Sequence, residues 1–176
     1  QRQMCIRDRL VAAQYSTDDQ DALMVSRNGQ ALRFRVDSLP LRSRTAGSIR
    51  GLRLKPTDEL VSMDVVLPEG SLLLLSENGY GKLTKLKAFP AHNRGGQGIR
   101  AFAVNAKTGP LAAVRIMSGE EKEIMVGSAQ AQVIRLDTHE IPTLGRATQG
   151  VILWRPAPRD KVNSVAFVSE PTEDNK

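Results

Sequence analysis

The stretch "ENGYGKLTKLKAFPAHNRGGQGIR", Glu77 to Arg100, sets Lys82, Lys85, Lys87, Arg94 and Arg100 among glycines, with no acid between Asn78 and Gly119. Cations beside Gly, Ser, Thr and Asn are suited to phosphate, because small side chains let backbone N–H groups approach the oxygens. The stretch is not a nucleotide loop, since Arg94-Gly95-Gly96-Gln97-Gly98 lacks the Lys-Ser/Thr ending. Other chemistries are poorly supplied. His92 lies in the basic loop within reach of a phosphate, and His139 reads as a surface residue; neither has an evident Ser or Asp partner for a triad. One cysteine, Cys5, and two separated histidines make no metal-ligand set, and Asp18-Asp19 and Glu120-Glu121 read as solvated turn acids. No active site, metal or cofactor is expected.

The basic pattern recurs because the chain repeats. "LMVSRNGQALRFRVDSLPLRSRTAGSIRG" aligns without a gap on "LLLSENGYGKLTKLKAFPAHNRGGQGIRA", and a third copy, "EIMVGSAQAQVIRLDTHEIPTLGRATQGVIL", follows with a two-residue insertion. A fixed period of about fifty residues marks a repeat architecture. Short apolar and β-branched runs bounded by turn residues read as strands, and helical stripes are absent. Strands are expected near 23–26, 31–36, 49–54 and 60–66, near 71–75, 82–87, 98–104 and 111–117, and near 123–127, 131–136, 150–154 and 162–168. Asn28-Gly29 and Asn78-Gly79 suit two-residue hairpin turns, whereas the third copy has Ser128-Ala129-Gln130 there. Three four-stranded units in register predict an all-β, propeller-like array of blades.

Charge follows the same period. Acids gather near positions 19, 69 and 120, in the connections between units, while the segment between the second and third strands of each unit is basic. Arg42, Arg44 and Arg50, then Lys85, Lys87, Arg94 and Arg100, then Arg135 and Arg146 are expected on one positive edge. Such a rim suits duplex DNA bound through its phosphates, without sequence readout. A single basic loop would be only a solvated surface; its recurrence in register favours a site.

The 176 residues hold Lys+Arg 25 against Asp+Glu 19, a net charge of +6, and 40% hydrophobic residues, which fits a globular protein with a polyanionic partner. No apolar run is long enough to span a bilayer, and no signal-peptide segment is evident. A soluble, cytoplasmic protein in a reducing compartment is expected. The units are placed at 21–67, 70–118 and 121–168 within a domain covering 10–168. The first nine residues, "QRQMCIRDR", match nothing else and read as foreign to the fold, with a native chain starting abruptly mid-strand at "LVAAQYS"; residues 169–176 read as an acidic disordered tail.

"ENGYGKLTKLKAFP", "NRGGQGI" and "GRATQGVIL", with "SRNGQALRF" and "RTAGSIRGLRLKPTDELVSMDVV" before them, resemble successive repeats of the C-terminal domain of the bacterial DNA gyrase A subunit, over roughly residues 10–168. The resemblance implies a β-pinwheel, a ring of normally six blades that exchange strands, of which this chain holds about three. It also implies wrapping of double-stranded DNA in support of ATP-dependent negative supercoiling, within a heterotetramer formed with the rest of the gyrase A subunit, together with the gyrase B subunit. The family's Gln-Arg-Arg-Gly-Gly-Lys-Gly box is not matched: Asn93-Arg94-Gly95-Gly96-Gln97-Gly98 has Gln97 for its lysine and lies in the next-to-last unit. The corresponding subunit of topoisomerase IV, or a protein-binding propeller with a basic rim, is the alternative. Tyr15, at an expected strand end, and Tyr80, in a hairpin, are not matched to the family's catalytic tyrosine, and Trp154 is expected in the core.

Overall fold

The structure, a computed structural model, describes residues 10–43 and 45–168. The short apolar runs form antiparallel strands. The first unit contributes β1 (Asp21–Ser26), β2 (Gln30–Arg35) and β3 (Leu60–Val65). The second contributes β4 (Ser71–Ser76), β5 (Tyr80–Lys85), β6 (Ile99–Arg100) and β7 (Leu111–Met117). The third contributes β8 (Glu123–Ser128), β9 (Val133–Asp137), β10 (Val151–Ile152) and β11 (Val162–Val168). A 3-10 turn follows the second strand of each unit, at Val36–Ser38, Leu86–Ala88 and Thr138–Glu140.

The sheets do not coincide with the sequence repeats. Their orders are β3-β1-β2-β6, β10-β5-β4-β7 and β11-β8-β9. The second unit therefore donates β6 to the first sheet, pairing Ile99 with Ala31 and Arg100 with Gln30, and the third donates β10 to the second, pairing Val151 with Gly81 and Ile152 with Tyr80. Two sheets have four strands and the third has three, while the units contribute three, four and four strands, which corrects the expectation of four in every unit for the first of them. The strand expected at 49–54 does not form. Among the described residues no sheet edge is offered to it, although it carries the same Ile-Arg pair as β6. Residues 10–20, which include "LVAAQYS", also carry no strand, and Tyr15 is fully exposed instead of ending one.

Packing explains the spacing of the sheets. In "LLLL", alternate side chains point to opposite faces: Leu72 and Leu74 pack with Leu23 and Val25, while Leu73 and Leu75 pack with Ile124 and Val126. All four leucines are buried, each worth on the order of 1.5–3 kcal/mol, so β4 anchors both neighbouring sheets. Trp154 is half-buried against the second of these cores. β7 packs against both β3 and β11, which sets the last strand of each unit on the inner side and the donated segments on the outer side.

A buried carboxylate links the units. Glu77 accepts from the guanidinium of Arg27 in the first unit and from Lys161 Nζ in the third (2.6 Å), and its carbonyl accepts from Val162 N–H (2.9 Å). The repeat sets Arg27 and Glu77 at corresponding positions, so equivalent points of adjacent units carry opposite charges.

The hairpin glycines are required by the donated strands. Gly29 and Gly79 both have φ of +78°, and a methyl on either would run into the carbonyl of Phe102 or Trp154 in the incoming segment. In the third unit Ala131 takes the same left-handed place, with φ of 60°. No donated strand lies against it among the described residues, so its methyl is accommodated. Gly79→Ala is expected to destabilise the fold by at least about 2 kcal/mol, adding backbone clash to left-handed strain. Gly47→Ala, at a site with open space around it, is expected to stay within about 0.5 kcal/mol of the parent; urea denaturation of both variants checks the contrast.

Candidate nucleic-acid interface

In the second and third units the connection after the second strand lies along the outer edge of the preceding sheet. His92 N–H donates to Arg33 O (2.8 Å), and Leu83 N–H donates to Pro142 O (3.0 Å) while Leu83 O accepts from Leu144 N–H (2.8 Å). Successive connections are then joined main chain to main chain. Arg53 N–H donates to Gly96 O (2.8 Å) and, one repeat on, Ala103 N–H donates to Thr148 O (3.1 Å). The basic loops of the three units thus form one stitched ledge.

Most of the expected cations sit on or beside this ledge. Arg42, Arg50, Lys85, Lys87 and Arg100 are exposed, and Arg94 and Arg146 are half-buried. Arg146 Nη1 donates to Arg100 O (2.8 Å), bringing those two residues together; Arg94, its counterpart, donates from Nε to Ser38 O (3.2 Å) and lies next to Gly95, which faces the Arg50 carbonyl. Among the described residues, no carboxylate is within ion-pair distance of any of these seven. Arg44 lies outside the described residues.

Arg135 is different. It is on β9 rather than in a loop, and its guanidinium is bound to Glu123, with Nε at 2.6 Å. This pair corresponds to Arg33 and Asp21 in the first unit (2.6 Å), where Arg33 Nη1 also reaches the Leu86 and Phe89 carbonyls of the next unit. Arg135 is therefore a copy of the ion pair that joins the first two strands of a unit, and its charge is already compensated. The expected separation of acids from bases is also incomplete. Arg35 pairs with Asp37 (2.9 Å) and His139 with Asp137 (2.9 Å) in the first and third 3-10 turns. Hydrogen bonds from His139, backbone first, hold the Asp137 carboxyl below its ordinary range. Lys85 and Lys87 occupy the equivalent places in the second unit, so the ledge is most positive at its middle.

The family model for the DNA gyrase C-terminal domain, beta-propeller, matches residues 20–67, 70–116 and 122–169. The chain belongs to the DNA gyrase C-terminal domain family. It is 34% identical over 169 residues to the DNA gyrase A subunit of Dehalogenimonas lykanthroporepellens, covering 93% of this chain and 21% of that protein. To the same protein of Staphylococcus epidermidis it is 35% identical over 170 residues, covering 96% and 19%. The chain thus spans about a fifth of the length of these relatives. Its fold matches the solved gyrase A C-terminal domain with a TM-score of 0.78 at 25% identity, covering 86% of this chain and 52% of that one. It matches the topoisomerase IV C-terminal domain at 0.79 with 20% identity, covering 86% and 47%, a likeness of fold alone. The exchange of β6 and β10 makes this gyrase-family propeller a β-pinwheel.

One cation of the opening stretch belongs to the interior of the gyrase fold and not to its rim. Lys82 on β5 is fully buried. Its ammonium donates to Gly145 O (2.7 Å), Arg146 O (2.7 Å) and Thr148 Oγ1 (3.1 Å), and stands 5.6 Å from the centre of the Phe102 ring. The repeat puts Leu32 and Ile134 at the same point, an apolar pair that marks the position as inward-facing. Burial first, and then the charge of Arg146, bring Lys82 down to about 8 from an ordinary 10.5. Because the unfolded chain binds this proton more tightly, stability should rise as pH climbs from about 8 towards 10.5. Lys82→Met is expected to lose that rise, read as a difference in thermal midpoints between parent and variant that grows in the parent's favour over the same window.

Proposed function

We propose that this chain binds double-stranded DNA along the stitched outer ledge, wrapping it as part of a DNA gyrase A subunit, in support of ATP-dependent negative supercoiling. The observation that carries the reading is the pair of equivalent main-chain links, Arg53 to Gly96 and Ala103 to Thr148, which hold the basic loops of successive units side by side. Arg42, Arg50, Lys85, Lys87, Arg94, Arg100 and Arg146, with Arg44, are the phosphate contacts; Arg135 is left out because Glu123 holds it. Contacts of this kind position a duplex and read no bases, and they need no cofactor. Bending a 20–30 bp site costs on the order of 1–6 kcal/mol, which the phosphate contacts must offset. The partners are duplex DNA, the remainder of the gyrase A subunit, together with the gyrase B subunit, in the cytoplasm. No helix among the described residues is long and apolar enough to cross a membrane.

Membership of the gyrase family favours this reading over a topoisomerase IV protein. A rim that binds an acidic protein is the contrasting possibility, and salt separates the two. Duplex affinity should fall linearly on a log–log plot against salt, by about 10³–10⁵ between low and moderate concentration if six to ten phosphates are engaged. Arg100→Ala and Arg146→Ala should each lower the slope by about one, alike for unrelated sequences. Absence of duplex binding at low salt would refute the proposal.

A further inference from the structure

Buried charges in proteins ordinarily meet a counter-charge, because an ammonium taken out of water loses its hydration. Lys82 meets none among the described residues. Its register partner on β4 is Leu74, the segment after β6 presents the Phe102 ring, and the loop above presents Arg146, a charge of the same sign. What it holds instead are two consecutive carbonyls, those of Gly145 and Arg146, and the Thr148 hydroxyl.

Those two carbonyls fix the direction of two donors. The peptide bonds are trans, so each N–H points opposite to the C=O of its own unit. With the oxygens of Gly145 and Arg146 drawn in to the ammonium, the N–H groups of Arg146 and Ala147 are turned out, on a loop where Gly145, Ala147 and Thr148 are exposed. Neither N–H donates to any group among the described residues. Successive outward N–H groups over a positive charge form an anion-binding concavity. The matching loop of the second unit is built differently: apolar Leu32 lies beneath Gly96, and Gly95 N–H is already engaged by Gly51 O.

We propose that the main-chain N–H groups of Arg146 and Ala147, held outward by the buried ammonium of Lys82, form an oxyanion subsite for one phosphate of the bound nucleic acid. Lys82 touches no ligand; it is a positioning residue that also supplies positive potential from below, with the Arg100 and Arg146 side chains flanking the site. The assignment to nucleic acid rests on the proposed DNA binding, whereas the oxyanion subsite stands on the loop geometry.

The test is a titration of the whole chain with inorganic sulfate, fully ionised throughout, followed by carbon-detected nitrogen shifts, with duplex DNA run in parallel. The Arg146 and Ala147 nitrogens should shift saturably, those of Arg94 and Gly95 should not, and Lys82→Met should weaken the response at least about tenfold. In the unmodified chain the response should also fade as pH rises through about 8, which needs no variant to fold. Absent shifts, equal shifts in Lys82→Met, or equal shifts at Arg94 and Gly95 would overturn the subsite, whatever the duplex does. Shifts with sulfate but no duplex binding would keep the subsite and refute the DNA reading.

Discussion

The outer edges of β2 and β5 receive their hydrogen-bond partners from the chain of the following unit, and the rest of the structure depends on that donation. A bare edge strand presents unpaired N–H and C=O groups, which proteins cover, twist or charge. Here β6 and β10 cover them, and the path of the donated segment dictates much nearby. The hairpins beneath must carry Gly29 and Gly79, because the Ala101 and Leu153 N–H groups bond the carbonyls of those glycines (2.8 and 2.9 Å) and so bring the Phe102 and Trp154 carbonyl oxygens to where a Cβ on either glycine would stand. Ala131 at the third hairpin is consistent with the same rule. A strand laid across β9 as β6 is laid across β2 would bring a carbonyl onto its methyl, so that edge is unsuited to a donor following the same path.

Two buried charges show different ways of holding the units together. Glu77 is satisfied by opposite charges from both neighbouring units, Arg27 and Lys161, and its burial is compensated in the ordinary way. Lys82 joins the second unit to the third through neutral oxygens alone, where Leu32 does the corresponding job between the first and second with apolar packing. Leucine at Lys82 would satisfy the core at lower desolvation cost. What a leucine lacks is the ability to orient carbonyls, and that difference separates a position serving only the fold from one that also shapes the loop above it.

The repeat made the strands and hairpins legible, because period-two apolar runs and Asn-Gly turns are local signals. Strand donation was not legible from those signals. Ile49 with Arg50 and Ile99 with Arg100 read identically, yet among the described residues only the second pair has an edge to join, and pairing between units leaves the same pattern as pairing within one. Arg135 was misread as a rim cation, and Lys82 was set among the loop cations, for related reasons. Both look like members of a basic cluster when counted by charge; alignment against Leu32 and Ile134 marks the first as inward-facing, and alignment against Arg33, with Glu123 standing where Asp21 does, marks the second as an ion-pair member. Comparison column by column carried more information than composition along the chain. The Arg100–Arg146 approach depends on how tightly adjacent loops are stitched, which no local pattern encodes.

The donated strand and the basic loop are one continuous segment, and this ties binding to architecture. Residues 93–98 carry Arg94 and the glycines, and the next two residues are β6; residues 145–150 carry Arg146, and β10 follows at once. Fraying β6 would release Arg100 and the Arg94 loop together, so the positive ledge exists only while the units are interlocked. Any polyanion bound across Arg50, Arg94, Arg100 and Arg146 favours the interlocked state by mass action, since it binds that state and not the opened one. The reverse also holds: each inter-unit link, whether the Glu77 ion pairs, the Arg33 contact to the Leu86 and Phe89 carbonyls or the Lys82 hydrogen bonds, removes freedom that a ligand would otherwise have to restrict. In this arrangement the stability of the array and the precision of its charged surface are set by the same bonds.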